Sequence, residues 1–289
     1  MTGGRARGAA GPGPRARRAR AAAAALGALA AALWVLPVAF ILVASLKPDD
    51  AVLAEAGGWR ALWPTDASLD NYADVLERLR FGRILWNSLV INAGIVLGGL
   101  VVNSLAGYAL ARLRFRGRRW ALAAVLALLI VPLEAIAVPL FYGITLLGGR
   151  DTYWAQILPF VANAFSIYLF HSFFLGLPRE LEEAGRVDGA GTMRIFFEIV
   201  VPNARPAFVS VAIVTFLLHW GLYLWPLLVT SSVDVRPLPL GMATFRTLPP
   251  LQWGDVMAFA VMMVTPAVAL FLSLQRWFVA GVATAGLKG

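Results

Sequence analysis

The chain has 289 residues, of which 60% are hydrophobic and only 14% are charged, and its formal net charge is +9. Its mean hydropathy is +0.73, a value that soluble domains of this size rarely reach, so the composition indicates a polytopic membrane protein. The sequence contains no cysteine, which excludes disulfides, thiolate zinc sites and cysteine nucleophiles, and its two histidines lie on different apolar segments, which disfavours a histidine metal site.

Six segments are long and apolar enough to cross a bilayer, which takes about 20 residues of helix. The first, residues 21–46, follows a Gly-, Pro- and Arg-rich stretch, residues 1–20, which is predicted to be a disordered basic tail near anionic lipid. The other five segments are residues 85–111, 120–142, 154–178, 207–233 and 256–275. The sequence therefore predicts an all-α membrane protein with six transmembrane helices, a core over residues 85–278 and a short C-terminal tail, 279–289.

The distribution of lysine and arginine predicts the orientation, because cytoplasmic loops are enriched in these residues. With the N-terminus inside, the cytoplasmic segments hold 17 of them and the external segments hold 8. Both termini and the basic tail are therefore predicted to be cytoplasmic. This asymmetry accounts for the net positive charge, so a nucleic-acid partner is not expected.

The first external segment, residues 47–84, contains a predicted short helix for which Ser68 is a plausible N-cap. One face of this helix is apolar and consists of Leu69, Tyr72, Leu76 and Leu79. The face is expected either to cap the surface or to meet the outer membrane surface or an external partner.

A charged segment, ELEEAGRVDGAGTMRIFFEIVVPNARPA (residues 180–207), lies between the fourth and fifth apolar segments. Apolar residues at helical spacing predict a first helix with Leu181, Ala184 and Val187 on its apolar face. After the bend Asp188-Gly189-Ala190-Gly191, a second helix is predicted from Thr192 to the prolines 202 and 206. Its apolar stripe is Met193, Phe196, Phe197 and Val200, and Arg194 pairs with Glu198 on the other side. The mixed charges of the polar face favour a protein partner over a lipid surface.

The spacing in this segment resembles the coupling motif of bacterial ABC-importer permeases, which is E-A-A, three residues, G, nine residues, I-x-L-P. The matching positions are Glu183-Ala184-Gly185, then Gly189, then Ile199-Val200-Val201-Pro202, with Gly185 replacing the second Ala and Val201 replacing Leu. Other stretches, including VPLEAIAVPLFY, LYLWPLLV and QRWFVAGVATAGLKG, are similar to the carbohydrate-importer permeases. The resemblance covers nearly the whole chain.

The resemblance implies a transport subunit rather than an enzyme, located in the bacterial inner membrane and importing a sugar or oligosaccharide by alternating access. The segment 179–206 would dock to a separate ATPase, which binds ATP and magnesium, so this chain would need no cofactor or metal of its own. Neither lysine follows a G-x-x-x-x-G pattern, so the chain has no P-loop. The implied partners are a second, similar but non-identical permease subunit, a pair of ATP-binding subunits, an extracytoplasmic solute-binding protein and membrane lipid. The implied coupling residues are Glu183, Ala184, Gly185, Asp188, Gly189, Ala190, Arg194, Ile199 and Pro202.

Polar groups within spans are candidates for the substrate path, because they are costly in lipid. Glu134, between two prolines, would either bond a sugar hydroxyl or pair with an arginine of a neighbouring subunit. His219 lies beside aromatic residues that either stack on a sugar or pack the span. The candidates are Glu134, Asn163, His219, Trp220, Tyr223 and Trp225. Gly221 stands where the family usually has Asn, so that contact is not expected.

Two other classes of protein are weighed against this interpretation. A self-sufficient ion-coupled secondary transporter usually places charged residues within its spans, where this chain offers only Glu134 and two histidines. A membrane-embedded enzyme is disfavoured by the absence of cysteine, clustered histidines and paired carboxylates within the spans. Among importers, a polyol or glycerol phosphate would fit a similar frame, although an anionic substrate favours arginine in the path and the spans contain none.

Overall fold

The structure is a computed structural model that describes residues 14–286, with side chains described for residues 20–275. The described residues form helices and turns and contain no strand, as predicted. They make two compact units: the first contains the described residues up to Ala73 together with Gln252–Val261, and the second contains Asp74–Leu251 with the described residues from Met262 onward.

The first unit begins with helix α1, Pro14–Ala44, whose described part has the length and hydropathy of a membrane span. The helix begins before the predicted residue 21, so residues 14–20 of the predicted disordered tail are helical, and residues 1–13 lie outside the described residues. The unit continues with α2, Asp49–Ala54, and a 3-10 turn, Trp59–Leu62. Side chains of the 18-residue window of α1 are exposed throughout, as expected for a helix that faces lipid.

The segment that follows α1 in the first unit is held by polar side chains. Lys47 is buried, and its Nζ donates to Glu55 Oε2 at 2.8 Å, while Thr65 Oγ1 donates to the same oxygen at 2.9 Å. These bonds, that from Lys47 first, hold the pKa of Glu55 below its usual range. Asn71 Nδ2 donates to the carbonyl oxygens of Ser45 and Lys47, both at 2.8 Å. The backbone that follows α1 is therefore ordered by its own side chains.

The predicted external helix is present as α3, Asp70–Arg78, which runs from the first unit into the second. Ser68 Oγ accepts a long hydrogen bond of 3.3 Å from the Asp70 N–H, in the manner of an N-cap. Leu69 and Leu76 of the predicted apolar face are exposed.

The second unit is built around α4, Phe81–Arg112, which corresponds to the second predicted span. The third predicted span is two helices, α5 (Arg118–Leu128) and α6 (Leu133–Leu146), bent by 104°. The fourth is also two helices, α7 (Tyr153–Val161) and α8 (Ala164–Leu175), bent by 40°. Pro132 fits the first break, because its fixed φ and missing N–H suit the start of a helix.

The charged segment forms α9, Glu180–Val187, and a continuous helix made of α10 (Thr192–Arg194), a π-helical stretch (Ile195–Val200) and α11 (Val201–Asn203). The chain then continues through α12 (Arg205–Trp220), α13 (Leu224–Val229), a 3-10 turn (Val233–Val235), α14 (Leu238–Phe245) and α15 (Trp253–Gly286). The fifth predicted span is thus not continuous to residue 233, since α12 ends at Trp220. The last helix runs into the predicted C-terminal tail, whose residues 287–289 lie outside the described residues.

The number of spans agrees with the prediction when bent pairs are counted as one. Three described helices, α1, α4 and the described part of α15, are each long and apolar enough to cross a bilayer. Three bent pairs, the third being Thr192–Asn203 with α12, raise the number to as many as six.

Close packing against α7 and α8 explains the glycines of α4. A Cβ added at Gly94 would lie 2.7 Å from Ile157 Cδ1, and one at Gly107 would lie 2.6 Å from Phe170 Cβ. Phe170 Cβ is fixed to the backbone, so Gly107 needs glycine for the helices to meet, whereas at Gly94 the end of the Ile157 side chain could shift. The two halves of the fourth span are therefore packed against one continuous helix.

Asn103 of α4 bridges the break between α7 and α8. Its Nδ2 donates to the Val161 carbonyl at 3.0 Å, and its Oδ1 accepts from the Asn163 N–H at 2.9 Å. The side chain is 1% exposed. One carboxamide thus satisfies two backbone groups that the interrupted helix leaves without their usual partners, which lipid cannot do.

The orientation remains a prediction that single cysteines test in this cysteine-free chain. Arg116→Cys and Thr192→Cys are both exposed positions and are expected to resist an impermeant thiol reagent in intact cells, whereas Ala67→Cys reacts. Arg116 is preferred over Gly117, because Gly117 has a φ of 86°, at which a cysteine would be strained. Permeabilised cells provide the control, in which all three cysteines are labelled. Labelling of Thr192→Cys in intact cells would show that the predicted orientation is wrong.

Candidate functional site

Helix α9 ends in a glycine cap that fixes the bend of the charged segment. Gly189 has a φ of 79°, its N–H donates to the Arg186 carbonyl at 3.0 Å, and the Ala190 N–H donates to the Gly185 carbonyl at 2.9 Å. These two bonds and the left-handed glycine make a Schellman motif. The bend is therefore set by the backbone, and a Cβ at Gly189 would meet nothing within 4 Å.

The buried face of α9 differs from the predicted one. Leu181, Ala184 and Val187 are exposed, and Val187 reaches 87%, whereas Glu182 and Gly185 are buried. The predicted apolar face is thus open in this chain, and the face that is buried is selected by a charge on another helix and by a glycine.

Glu182 is the centre of a buried polar cluster that ties α9 to the end of α4. Its Oε1 lies 3.0 Å from Arg112 Nε, at ion-pair distance but without hydrogen-bond alignment, and both side chains are at most 6% exposed. Tyr108 Oη donates to Glu182 Oε2 at 3.1 Å, and Arg186 lies 3.4 Å from the same oxygen. Arg112 also donates to the Leu177 carbonyl. The cluster therefore connects α9 directly to the second span through buried, charged contacts.

Gly185 allows the helix after the bend to approach α9. A Cβ at Gly185 would lie 2.6 Å from Ile199 Cδ1 and 3.3 Å from Ile195 Cγ1. Ile199, the isoleucine of the motif, therefore packs over the position where the motif usually has alanine. The departure from the motif at Gly185 is matched by this contact.

The second helix of the segment divides its predicted apolar stripe between core and surface. Phe196 and Val200 are buried in a cluster with Tyr108, Phe170 and Phe174. The ring centroids of Tyr108, Phe174 and Phe196 lie 5.1–6.4 Å from one another. Met193 and Phe197 are 63% and 57% exposed. These two residues and Val187 are the large apolar side chains of the segment that are more than half exposed, and they are called here the tip surface (Val187, Met193 and Phe197).

The remaining predicted coupling residues lie at exposed positions, at helix ends or against the core cluster. Glu183 is exposed, and Ala190 packs partly against the core cluster. Asp188 ends α9 and does not cap the second helix, whose N-cap is Gly191 without a side-chain bond. Arg194 Nε lies 2.8 Å from Glu198 Oε2 as predicted, but both are exposed, so the pair adds little stability. Pro202 does not end the helix, which continues to Asn203.

The candidates for the substrate path do not form one site. Glu134 is exposed in the first turn of α6, beside the bend of the third span. Asn163 is the N-cap of α8, where its Oδ1 accepts from the Ser166 N–H at 3.0 Å. Tyr223 is 41% exposed between α12 and α13. For Asn163 the structure gives a helix-capping role.

The other three candidates line one interior pocket of about 10 Å³, the space of about one water molecule. Trp220 and Trp225 are buried, and their Nε1 atoms donate at 2.9 Å to the carbonyls of Met263 and Ala155. His219 Nδ1 lies 2.7 Å from the Thr215 carbonyl, so Nδ1 carries the proton and Nε2 accepts. The two tryptophans are therefore held as packing residues, and His219 keeps a free acceptor.

The same pocket contains polar groups that the sequence did not single out as a set. Asn92 Nδ2 donates to the Ser88 carbonyl at 3.0 Å, and Gln156 Nε2 donates to the Val235 carbonyl at 2.9 Å. Both side chains are buried, and no described group donates to Asn92 Oδ1 or Gln156 Oε1. The surface of the pocket itself is apolar, so these two acceptors are enclosed beside the pocket rather than open to it.

Sequence reasoning missed the Tyr108–Arg112–Glu182 cluster and Gln156. The pairing of Glu182 joins positions about 70 residues apart, which no local pattern reveals. Gln156 gave a usable signal, since it is a carboxamide within an apolar segment. Within the described residues, no three His, Asp or Glu side chains are close enough to hold a metal ion.

Residues 88–284 match the family of binding-protein-dependent transport system inner membrane components. This chain belongs to that family. Its coupling segment and the helices around it lie within the matched region. The chain is accordingly a permease subunit of a binding-protein-dependent ABC importer, a multi-pass inner-membrane transport component without catalytic activity, and the family implies a separate ATPase and a binding protein.

Individual relatives cover most of the chain. It is 35% identical over 267 residues to the arabinooligosaccharides transport system permease protein AraQ of Halalkalibacterium halodurans, covering 91% of this chain and 94% of the relative. It is 37% identical over 203 residues to the sn-glycerol-3-phosphate transport system permease protein UgpE of Yersinia enterocolitica, covering 70% and 72%. A crystal structure of a bacterial ABC transporter involved in import of the acidic polysaccharide alginate has a TM-score of 0.83 at 23% identity, covering 93% and 100%. That structure shares the fold.

Variants of two residues that line the interior pocket can distinguish a role in substrate contact from a role in packing. His219→Leu removes an acceptor and is expected to reduce uptake several-fold while the permease still assembles. Trp220→Ala is expected instead to destabilise the protein by about 3–5 kcal/mol, because it opens a cavity and removes a buried hydrogen bond. Uptake and thermal unfolding of the purified complex are measured together. Normal uptake by His219→Leu would assign this histidine to packing as well.

Proposed function

We propose that this permease subunit imports a neutral sugar or oligosaccharide by alternating access, driven by a separate pair of ATPase subunits that dock on residues 179–206. A second, non-identical permease subunit completes the pathway, and an extracytoplasmic solute-binding protein delivers the substrate. The observation that carries the coupling role is the cluster at Glu182, because it joins the exposed charged segment to the second span at buried, charged contacts. Motion of a docked ATPase therefore reaches the transmembrane helices without passing through a flexible loop.

The tip surface supports a protein as the docking partner. Val187, Met193 and Phe197 are more than half exposed on a segment that also carries acidic and basic residues. Clusters of exposed apolar residues with a polar rim are typical of protein interfaces. The charged residues around them, including Glu183, supply the rim.

A neutral, hydroxyl-rich substrate is supported by the uncharged residues around the interior pocket, which at about 10 Å³ must widen before a sugar can enter. Once it widens, Asn92 Oδ1, Gln156 Oε1 and His219 Nε2 are acceptors that suit hydroxyl donors, and none of the described residues that line it is a lysine or arginine. An oligosaccharide relative supports the same class. Glycerol 3-phosphate is the second candidate, because a permease named for it is 37% identical. A phosphate would meet acceptors here, which makes it less suited to this pocket.

The test is substrate-stimulated ATP hydrolysis and uptake by the complex reconstituted in proteoliposomes with its solute-binding protein. Arabino- and malto-oligosaccharides, a polyol and glycerol 3-phosphate are compared at equal concentration. An oligosaccharide that stimulates both activities, with no stimulation by glycerol 3-phosphate, supports the proposal. The reverse order would transfer the assignment to the phosphate ester, and uptake driven by an ion gradient without ATP would overturn the coupling.

A further inference from the structure

A cleft of about 370 Å³ opens between the end of α4 and helix α9, separate from the interior pocket and from the tip surface. Its lining is formed by seven residues, of which four are arginines: Arg112, Leu113, Arg114, Arg179, Glu182, Glu183 and Arg186. Two glutamates oppose four arginines, so the lining has a formal net charge of +2. The cleft is far larger than a water site.

The distribution of these charges leaves arginines available inside the cleft. Glu182 already faces Arg112, Arg186 and the hydroxyl of Tyr108, so its charge is neutralised. Arg114 and Arg179 are exposed and project from different segments, one after the second span and one after the fourth. A guanidinium group binds two phosphate oxygens at once, and here two arginines from different segments line the same cleft. The electrostatics of the cleft therefore select an anion.

The position of the cleft indicates where that anion comes from. Arg112 is the last residue of α4, and Arg179 follows α8 by four residues, so the cleft lies where two spans leave the membrane. The excess of basic residues in both loops places this end at the cytoplasmic leaflet. Basic pockets between spans on that side are typical sites for anionic lipid headgroups.

We propose that this cleft binds the phosphate of an anionic phospholipid headgroup of the cytoplasmic leaflet, through Arg114 and Arg179. The bound headgroup lies against the face of α9 that carries Glu182 and Glu183 and thereby stabilises the position of the coupling segment. The proposal depends on the predicted orientation and not on the identity of the transported substrate, so a failed substrate assignment leaves it standing.

The test uses the complete transporter in nanodiscs and the pair Arg114→Gln and Arg179→Gln. The matched control is Arg116→Gln with Arg119→Gln, which removes the same charge from the same cytoplasmic surface without touching the cleft lining. Retained phosphatidylglycerol is measured by native mass spectrometry after delipidation and titration against phosphatidylcholine. The cleft variant is expected to lose about 25-fold in apparent lipid affinity, about fivefold for each arginine, and the control variant less than about threefold.

Three results would overturn the proposal. Equal lipid retention by the cleft and control variants would show that the cleft does not hold the headgroup. Saturation of the cleft by inorganic phosphate, with no preference for phosphatidylglycerol over phosphatidylcholine, would make the ligand a free anion. Loss of ATPase retention by the cleft variant, with unchanged lipid binding, would assign the arginines to acidic side chains of the ATPase.

Discussion

Gly189→Val is expected to leave the protein inserted in the membrane and to reduce ATP-driven uptake by about tenfold or more. The φ of 79° at this position costs an L-residue roughly 1–2 kcal/mol, and a β-branched side chain more. To relieve that strain the bend must give up one or both hydrogen bonds of its glycine cap, which shifts α9 relative to the helix that follows it. No span is altered, so insertion persists while hydrolysis and uptake become uncoupled.

Gly191→Val is the matched control for this variant. Gly191 lies two residues further on, has an ordinary φ of −72° and likewise has open space around its Cα. It is expected to retain most uptake, and Gly189→Asn, which tolerates the left-handed conformation better, is expected to lie between the two. ATPase retention, hydrolysis and uptake are measured on each purified complex. Wild-type uptake by Gly189→Val would show that the bend is not part of the coupling mechanism.

Glu182→Gln is expected to lower the stability of the protein strongly. The amide keeps an acceptor for Tyr108 but leaves the guanidinium of Arg112 buried without a counter-charge, and breaking such a pair costs about 3–5 kcal/mol. The apparent Tm of the purified complex should therefore fall by roughly 10 °C. Uptake should fall with it, because the connection between α9 and α4 is weakened.

Glu183→Gln separates stability from docking. Glu183 is the adjacent residue and is exposed, so the same substitution should leave the Tm nearly unchanged. If Glu183 meets the ATPase, its variant instead reduces ATPase retention. A Tm for Glu182→Gln that equals the wild-type value would mean that the pair is replaced by solvent and does not hold the coupling segment.

The parts of the fold that depend on neighbouring residues in the chain could be predicted from the sequence. The bend at Gly189 and the start of the second helix at Thr192 fall where the glycines and apolar spacing placed them. The all-helical fold was predicted in the same way, because about 20 apolar residues in succession have few other structures available, and each predicted span overlaps a described helix or bent pair.

The parts that depend on distant contacts could not be predicted. The buried face of α9 follows from Arg112, and the hydrogen-bonded roles of Trp220 and Trp225 follow from carbonyls on other helices. The breaks within the third and fourth spans were missed because hydropathy does not change there. Hydropathy reports that a segment tolerates lipid, whereas a break depends on whether a neighbouring helix supplies the missing hydrogen bonds.

Asn103 shows what such a supplied bond means for motion. Straightening or further bending the fourth span would pull Val161 and Asn163 away from one carboxamide and leave a buried carbonyl and a buried N–H unpaired, at about 1–3 kcal/mol each. The bend at residues 162–163 therefore resists change, and we expect α7 and α8 to keep their relative angle where they pack on α4. Under the proposed alternating access, we expect the helices to move relative to one another at other contacts of the subunit.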